Sequence, residues 1–219
     1  MYLYICQRGK DLENRDLMKH RQGKDTVSDG LVKEALLEYN DELKLGYTPD
    51  EIRHLKVERG IHGKPYFADL NFHRQKPQIH FSVSHSESWW ACLLADEPVG
   101  LDIEVNKEKV KYKEIAKRFF TEEEYTYVLK HGEEGFFQLW VCKEAFLKYR
   151  GTGLSEGLNS FSVVGNGKLL SFIKSKNDSG IDGGIFLNPI EIRAGITAAY
   201  CIKNQRKVEK ISEILTVKQ

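Results

Sequence analysis

No apolar run in this chain approaches the roughly 20 residues a membrane-spanning helix needs. The opening Met1-Tyr2-Leu3-Tyr4-Ile5-Cys6 is too short for the apolar core of a secretory signal and has no basic segment before it. Neither sign of charge dominates: 33 Lys and Arg stand against 32 Asp and Glu, a net charge of +1. A bulk attraction to nucleic acid or to an anionic membrane is therefore excluded, while local basic patches stay available for an anionic ligand. Cysteine is sparse. Cys6, Cys92, Cys142 and Cys201 are scattered, with no C-x-x-C pair and three of them inside apolar runs. That argues against zinc and disulfides and for buried thiols in a reducing compartment. Low-complexity segments are absent. The expectation is a soluble cytoplasmic protein with no membrane and no nucleic-acid partner, and 219 residues suffice for one core or two small ones.

What is present alternates between helix and strand patterns. Tyr2–Cys6 reads as an opening strand, followed by a charged stretch from Gln7 to Gly30. Leu31, Ala35, Leu36, Tyr39 and Leu43 have helical spacing, with Ser28 or Asp29 as the N-cap. Thr48-Pro49-Asp50-Glu51 is a capping box; beyond it, Ile52–Glu58 fits a helix or a strand. Ile79, Phe81 and Val83 alternate with His80, Ser82 and Ser84 as in a half-buried strand, and Trp89–Ala95 is a strand buried on both faces. Thr121 to Glu124 caps a new helix, Gly132 to Gly135 breaks it, and Phe136–Arg150 continues until Gly151-Thr152-Gly153. Strands are expected at Phe161–Val164, Leu169–Ile173, Ile185–Leu187 and Ile196–Ile202. The spacing of Val208, Ile211 and Ile214 points to an amphipathic C-terminal helix. Both halves of the chain contain a helix followed by strands, a weak duplication of layout without a sequence repeat.

Two stretches carry chemistry. In Val99-Gly100-Leu101-Asp102-Ile103-Glu104-Val105 the apolar residues face one side of a strand and Asp102 and Glu104 the other. Adjacent like charges resist ionising together, and a hard cation such as Mg²⁺ relieves them. The second stretch is helical: Trp140, Glu144 and Lys148 recur at intervals of four and share one face, with Lys143 one step round. Taken alone, Glu144 and Lys148 make an ordinary helix salt bridge. Ser84 and His85 do not make a nucleophile–base pair, since neighbouring strand residues point apart.

Together, Gly100-Leu101-Asp102-Ile103-Glu104 and Trp140-Val141-Cys142-Lys143-Glu144-Ala145-Phe146-Leu147-Lys148 resemble the G-x-D-x-E and W-x-x-K-E-(A/S)-x-x-K signatures of the 4′-phosphopantetheinyl transferase superfamily. Gly63-Lys64-Pro65, Phe81-Ser82-Val83-Ser84-His85-Ser86, Ala116-Lys117-Arg118-Phe119-Phe120 and Ser160-Phe161-Ser162-Val163 are similar to further elements of its larger, Sfp-type branch. The resemblance covers roughly residues 60–165. It implies an α+β chain of two similar halves, 1–98 and 99–219, related by a pseudo-twofold in a monomer, with coenzyme A (CoA) between them. It also implies transfer of the phosphopantetheine arm of CoA to a serine of an acyl, peptidyl or aryl carrier protein, releasing adenosine 3′,5′-bisphosphate. Asp102, Glu104 and Glu144 are then the Mg²⁺ ligands. Glu144 is the first candidate for the general base and a hydroxide on the metal the second, and Lys148 contacts the pyrophosphate. Lys64 and His85 match positions that contact CoA phosphate groups, with Ser84 adding a hydrogen bond, and Glu124 matches a position near the active site, with a capping role as the alternative. The CoA 3′-phosphate would meet basic residues of the first half: Lys19, Arg21, Lys24 or Arg15. Basic and apolar residues along Lys107–Phe120 are the expected docking surface for an acidic carrier helix. Two other readings are a CoA- or carrier-binding protein without catalysis, and a Mg²⁺-dependent phosphodiesterase. The full set Asp102, Glu104, Glu144 and Lys148 speaks against the first, and the balanced charge against a nuclease.

Overall fold

The strand pattern at the N-terminus is realised as β1 (Tyr2–Gln7), whose central residues are all buried. A computed structural model of the protein describes residues 1–7, 26–68, 76–106, 110–175 and 183–214. These form an α+β chain of two units, Met1–Val99 with Arg206–Gln219, and Gly100–Gln205.

In the first unit, α1 (Val27–Leu43), α2 (Pro49–His54) and a hairpin of β2 (Val57–Arg59) and β3 (Pro65–Phe67) precede β4 (His80–Ser86) and β5 (Trp89–Ala95). β5 is buried at every position, as a continuous apolar run requires, and β1 and β4 pair antiparallel to it. Leu31, Ala35, Leu36 and Tyr39 of α1 enter the same core as Tyr4, Trp90 and Leu94, whereas Leu43 stays exposed. The N-cap of α1 is Thr26, not Ser28 or Asp29: Asp29 is the reciprocal partner of Thr26, and Ser28 instead accepts the Trp90 indole N–H at 3.0 Å. Thr48 and Glu51 cap α2 as the sequence requires. β4 differs from the half-buried strand expected of it, because Ser82, Ser84 and Ser86 are buried along with Phe81.

The tail is a strand rather than a helix. β12 (Lys210–Glu213) lies parallel to β1, giving the sheet order β12-β1-β5-β4. The open edge of β1 offers unpaired backbone groups, and the Ile214 N–H donates to the Ile5 carbonyl at 2.8 Å. The sequence grouped 99–219 as one half, yet this pairing puts the segment from Arg206 with the first unit.

The second unit is built on a sheet of order β6-β11-β10-β9: β6 (Val99–Val105), β9 (Phe172–Ser175), β10 (Gly183–Arg193) and β11 (Ile196–Ile202). α3 (Tyr112–Phe119) and α4 (Glu122–Arg150) supply its helices. α4 is two arms: Gly132, at φ 68° and ψ −150°, breaks the helix where glycine predicted a break. Glu124 and Lys143, 19 residues apart, meet at 2.6 Å. A straight helix would hold them about 28 Å apart, so the arms fold back on each other. Gly151 ends the second arm in the left-handed conformation. The expected strand at Phe161–Val164 is confined to β7 (Val164–Gly165) paired with β8 (Lys168–Leu169), and the backbone before Val164 is irregular.

Candidate active site

β6 ends the apolar alternation where its chemistry begins. Leu101 and Ile103 are buried; Asp102, on the opposite face, is only 5% exposed, and Glu104 is half-buried. Asp102 does not reach this depth unpartnered: Lys148 Nζ donates to its Oδ1 at 2.7 Å. Lys148 belongs to the second arm of α4, where Trp140, Glu144 and Lys148 are half-buried while Leu139, Val141, Cys142, Ala145 and Leu147 around them are buried. The shared face deduced from spacing is thus the stripe of this arm that retains solvent access. Trp140 leans on Phe136 and Phe120, with ring centroids at 5.8 and 6.4 Å.

Gly100 lets strand and helix approach this closely. A Cβ there would lie 2.0 Å from the Ala145 carbonyl oxygen and 2.4 Å from the Tyr149 nitrogen. Any side chain would push β6 away from the arm that carries Glu144 and Lys148.

Glu144 feels this crowding. Burial pushes its carboxyl up to about 7, and the negative charges of Asp102 and Glu104 push the same way, while Lys148 holds it down. A buried carboxylate whose neighbours are carboxylates is the donor set a hard cation relieves, so these residues fit Mg²⁺ in chemistry. They are not a finished cage. Among the described residues no three His, Cys, Asp or Glu side chains are already drawn together for a metal, and the Lys148 ammonium supplies the positive charge beside Asp102.

The other site residues named from the sequence lie in the first unit. Lys64, in the turn before β3, donates to the Val99 carbonyl at 3.0 Å. Burial, and after it the Lys64 charge, lowers the proton affinity of His80. Ser84 and His85 sit in β4 opposite Ala91 and Trp90, Ser84 buried and His85 exposed, so they do face opposite ways. Arg15, Lys19, Arg21 and Lys24 lie outside the described residues.

Glu124 is not in the acidic cluster. It is fully buried, closes the N-terminal capping box of α4 with Thr121, and binds Lys143. Of the two roles open to it from sequence, capping is the one the structure displays. Sequence reasoning gave Lys143 no role, and its position one step round from Glu144 was the available signal.

Residues 98–182, which include every residue of this cluster, match the family model described as the 4′-phosphopantetheinyl transferase superfamily. The chain is 43% identical over 106 residues to 4′-phosphopantetheinyl transferase Sfp of Bacillus subtilis (strain 168), covering 47% of this chain and 44% of that protein. To 4′-phosphopantetheinyl transferase gsp of Aneurinibacillus migulanus it is 36% identical over 110 residues, 48% and 42% of the two chains. To 4′-phosphopantetheinyl transferase HetI of Nostoc sp. it is 28% identical over 148 residues, 65% and 58%. The chain spans about half the length of the relatives it matches.

Proposed function

We propose that this chain, whose residues 98–182 match the model of the 4′-phosphopantetheinyl transferase superfamily, is a member of it and transfers the 4′-phosphopantetheine arm of CoA to a serine of an apo carrier protein. The observation that supports this reading is the meeting of Asp102 with Lys148 beside Glu144, a carboxyl pushed up to about 7. A lysine and a reluctant carboxylate on one stripe suit a reaction that needs an anion held and a hydroxyl deprotonated near neutral pH.

In that reaction the serine oxygen bonds to the phosphorus bearing pantetheine. The P–O bond to the adenosine 5′-phosphate breaks, and the released product is adenosine 3′,5′-bisphosphate. Glu144, ionised, accepts the serine proton. Lys148, a compact ammonium, exchanges part of its contact with Asp102 for a pyrophosphate oxygen and balances charge on the leaving phosphate. Asp102, Glu104 and Glu144 would hold Mg²⁺, which supplies charge neutralisation and polarises the phosphoryl group when bound. Lys64, Ser84 and His85 bind CoA phosphates, and Lys19, Arg21 and Lys24 are the candidates for its 3′-phosphate. The carrier docks an acidic helix on α3, where Lys113, Lys117, Arg118 and Phe119 are exposed. The enzyme works as a cytoplasmic monomer. Among the described residues no helix is long and apolar enough to cross a membrane.

The deciding experiment incubates the chain with CoA, Mg²⁺ and a panel of apo acyl, peptidyl and aryl carriers, and weighs the carriers by mass spectrometry. A gain of the phosphopantetheine mass is expected on at least one carrier. No gain on any, with CoA still bound in calorimetry, would leave a binding protein without catalysis.

A further inference from the structure

Lys143 sits one residue before Glu144 and is fully buried. Its ammonium donates to Glu124 Oε1 at 2.6 Å and to the Phe161 carbonyl at 2.8 Å, and lies over the Phe161 ring, 4.3 Å from its centroid. Glu124 is equally occupied. Its Oε1 also accepts the Val163 N–H at 2.8 Å, and its Oε2 the Thr121 N–H at 2.9 Å. One ion pair thereby ties together the start of the first arm of α4, the middle of the second arm, and the irregular backbone at Phe161–Val163.

Stability alone is a poor reason for such a pair. Burying two charges costs several kcal/mol of desolvation, and apolar pairs of similar volume are often as stable. What an ion pair with fixed backbone partners adds is direction. Adjacent helical residues turn together, so whatever fixes Lys143 about the helix axis fixes Glu144. A rotation of about 20°, at the roughly 5 Å radius of the side chains, would move the Glu144 carboxylate by nearly 2 Å. Gly132 makes the constraint necessary, because a hinge between the arms leaves their mutual rotation to side-chain contacts.

We infer that Lys143 and Glu124 are positioning residues: their sealed pair sets the rotation of the second arm that presents Glu144 and Lys148 to the substrate. The inference rests on the reading of Glu144 and Lys148 as site residues. Neither Lys143 nor Glu124 touches substrate.

The test uses the whole chain labelled with 5-fluorotryptophan, which has three tryptophans: Trp89 and Trp90 in the first unit and Trp140 on the second arm of α4. Two variants are compared with the parent. Glu124→Asp keeps both charges and shortens the reach. Lys143→Met/Glu124→Gln removes both charges and keeps the volume. Folding is read by near-UV circular dichroism and cooperative melting, Mg²⁺ binding by calorimetry with Mg²⁺ alone, and arm position by the fluorine resonance of Trp140. Both variants are expected to fold. The Trp140 line should shift while Trp89 and Trp90 stay. Mg²⁺ should bind about tenfold more weakly, the loss typical when a residue supporting a metal ligand is removed. Transfer should lose about 100-fold in kcat, with KM for the carrier unchanged. A folded variant with an unmoved Trp140 line and an unchanged Mg²⁺ isotherm overturns the inference, and so does failure of both variants to fold, which would make the pair purely structural. A parent chain that modifies no carrier refutes the transferase reading instead, and leaves the Trp140 comparison to decide the positioning role.

Discussion

The second arm of α4 carries two lysine–carboxylate pairs of nearly the same length and opposite character. Lys143 meets Glu124 at 2.6 Å with both side chains at 0% exposure; Lys148 meets Asp102 at 2.7 Å with side chains 30% and 7% exposed. Distance does not separate them. Occupancy does: the Lys143 ammonium is closed in by two oxygens and two aromatic rings. Lys148 keeps access to solvent and shares its neighbourhood with Glu144, a carboxyl that resists ionising. The buried pair holds shape, and the accessible pair is available to exchange partners with an incoming anion.

The largest effects should come from breaking each pair at one end. Lys143→Ala leaves the Glu124 charge buried without its partner, and urea unfolding is expected to show a loss of about 3–5 kcal/mol. Lys148→Ala is expected to cost less, about 1–3 kcal/mol, because it takes one partner from the buried Asp102 but removes an ammonium that water already partly solvates. Equal losses would erase the distinction between the two lysines. Asp102→Ala is the counterpart on the functional side. Transfer should fall by on the order of 10²–10³-fold while the melting curve stays cooperative. Near-full transfer by this variant would remove Asp102 from the machinery.

Gly100→Ala is the next effect in size. The added methyl would sit 2.0 Å from a backbone carbonyl oxygen that cannot swing aside. Overpacking of this kind costs about 1–3 kcal/mol. Because β6 must retreat from the arm carrying Lys148, transfer should suffer beyond what the lost stability explains. An assay at a temperature where the variant is fully folded separates the two losses, and parental activity there would show that strand and helix need not be so close.

Much of this arrangement was legible in short-range pattern. The capping boxes at Thr48 and Thr121, the break at Gly132, the buried run of β5 and the alternation of β6 depend on residues within a few positions of one another. The co-facial stripe of Trp140, Glu144 and Lys148 likewise follows from helical period. The misses are long-range. Val208, Ile211 and Ile214 fit helical spacing, but the edge of β1 recruits Lys210–Glu213 as a strand, and the partner lies some 208 residues earlier. Ser82 and Ser84 looked like a solvated face until the fold covered them. Glu124 read correctly as a cap, yet its bond to Lys143 depends on the arms folding back at Gly132, which no local rule specifies. The residues of the candidate site were therefore written locally, and the Glu124–Lys143 bond was not.

The smallest effect sharpens the comparison at the accessible pair. In the metal-free protein Glu144 titrates at about 7, raised by burial and by Asp102 and lowered by Lys148. Its contribution to stability is accordingly fully present below its ordinary value of 4.5 and lost as pH rises through about 7. Carbon NMR of side-chain-labelled glutamate should show this carboxyl titrating near neutrality. Lys148→Met should raise the midpoint, because a stabilising cation is gone, and Asp102→Asn should lower it, because a repelling anion is gone. Lys143→Met/Glu124→Gln should move it less than either, since that pair acts on Glu144 through geometry rather than through the field at its oxygens. A midpoint near 4.5 in the parent would mean that Glu144 is an ordinary surface carboxylate, and the contrast between the two pairs would reduce to burial alone.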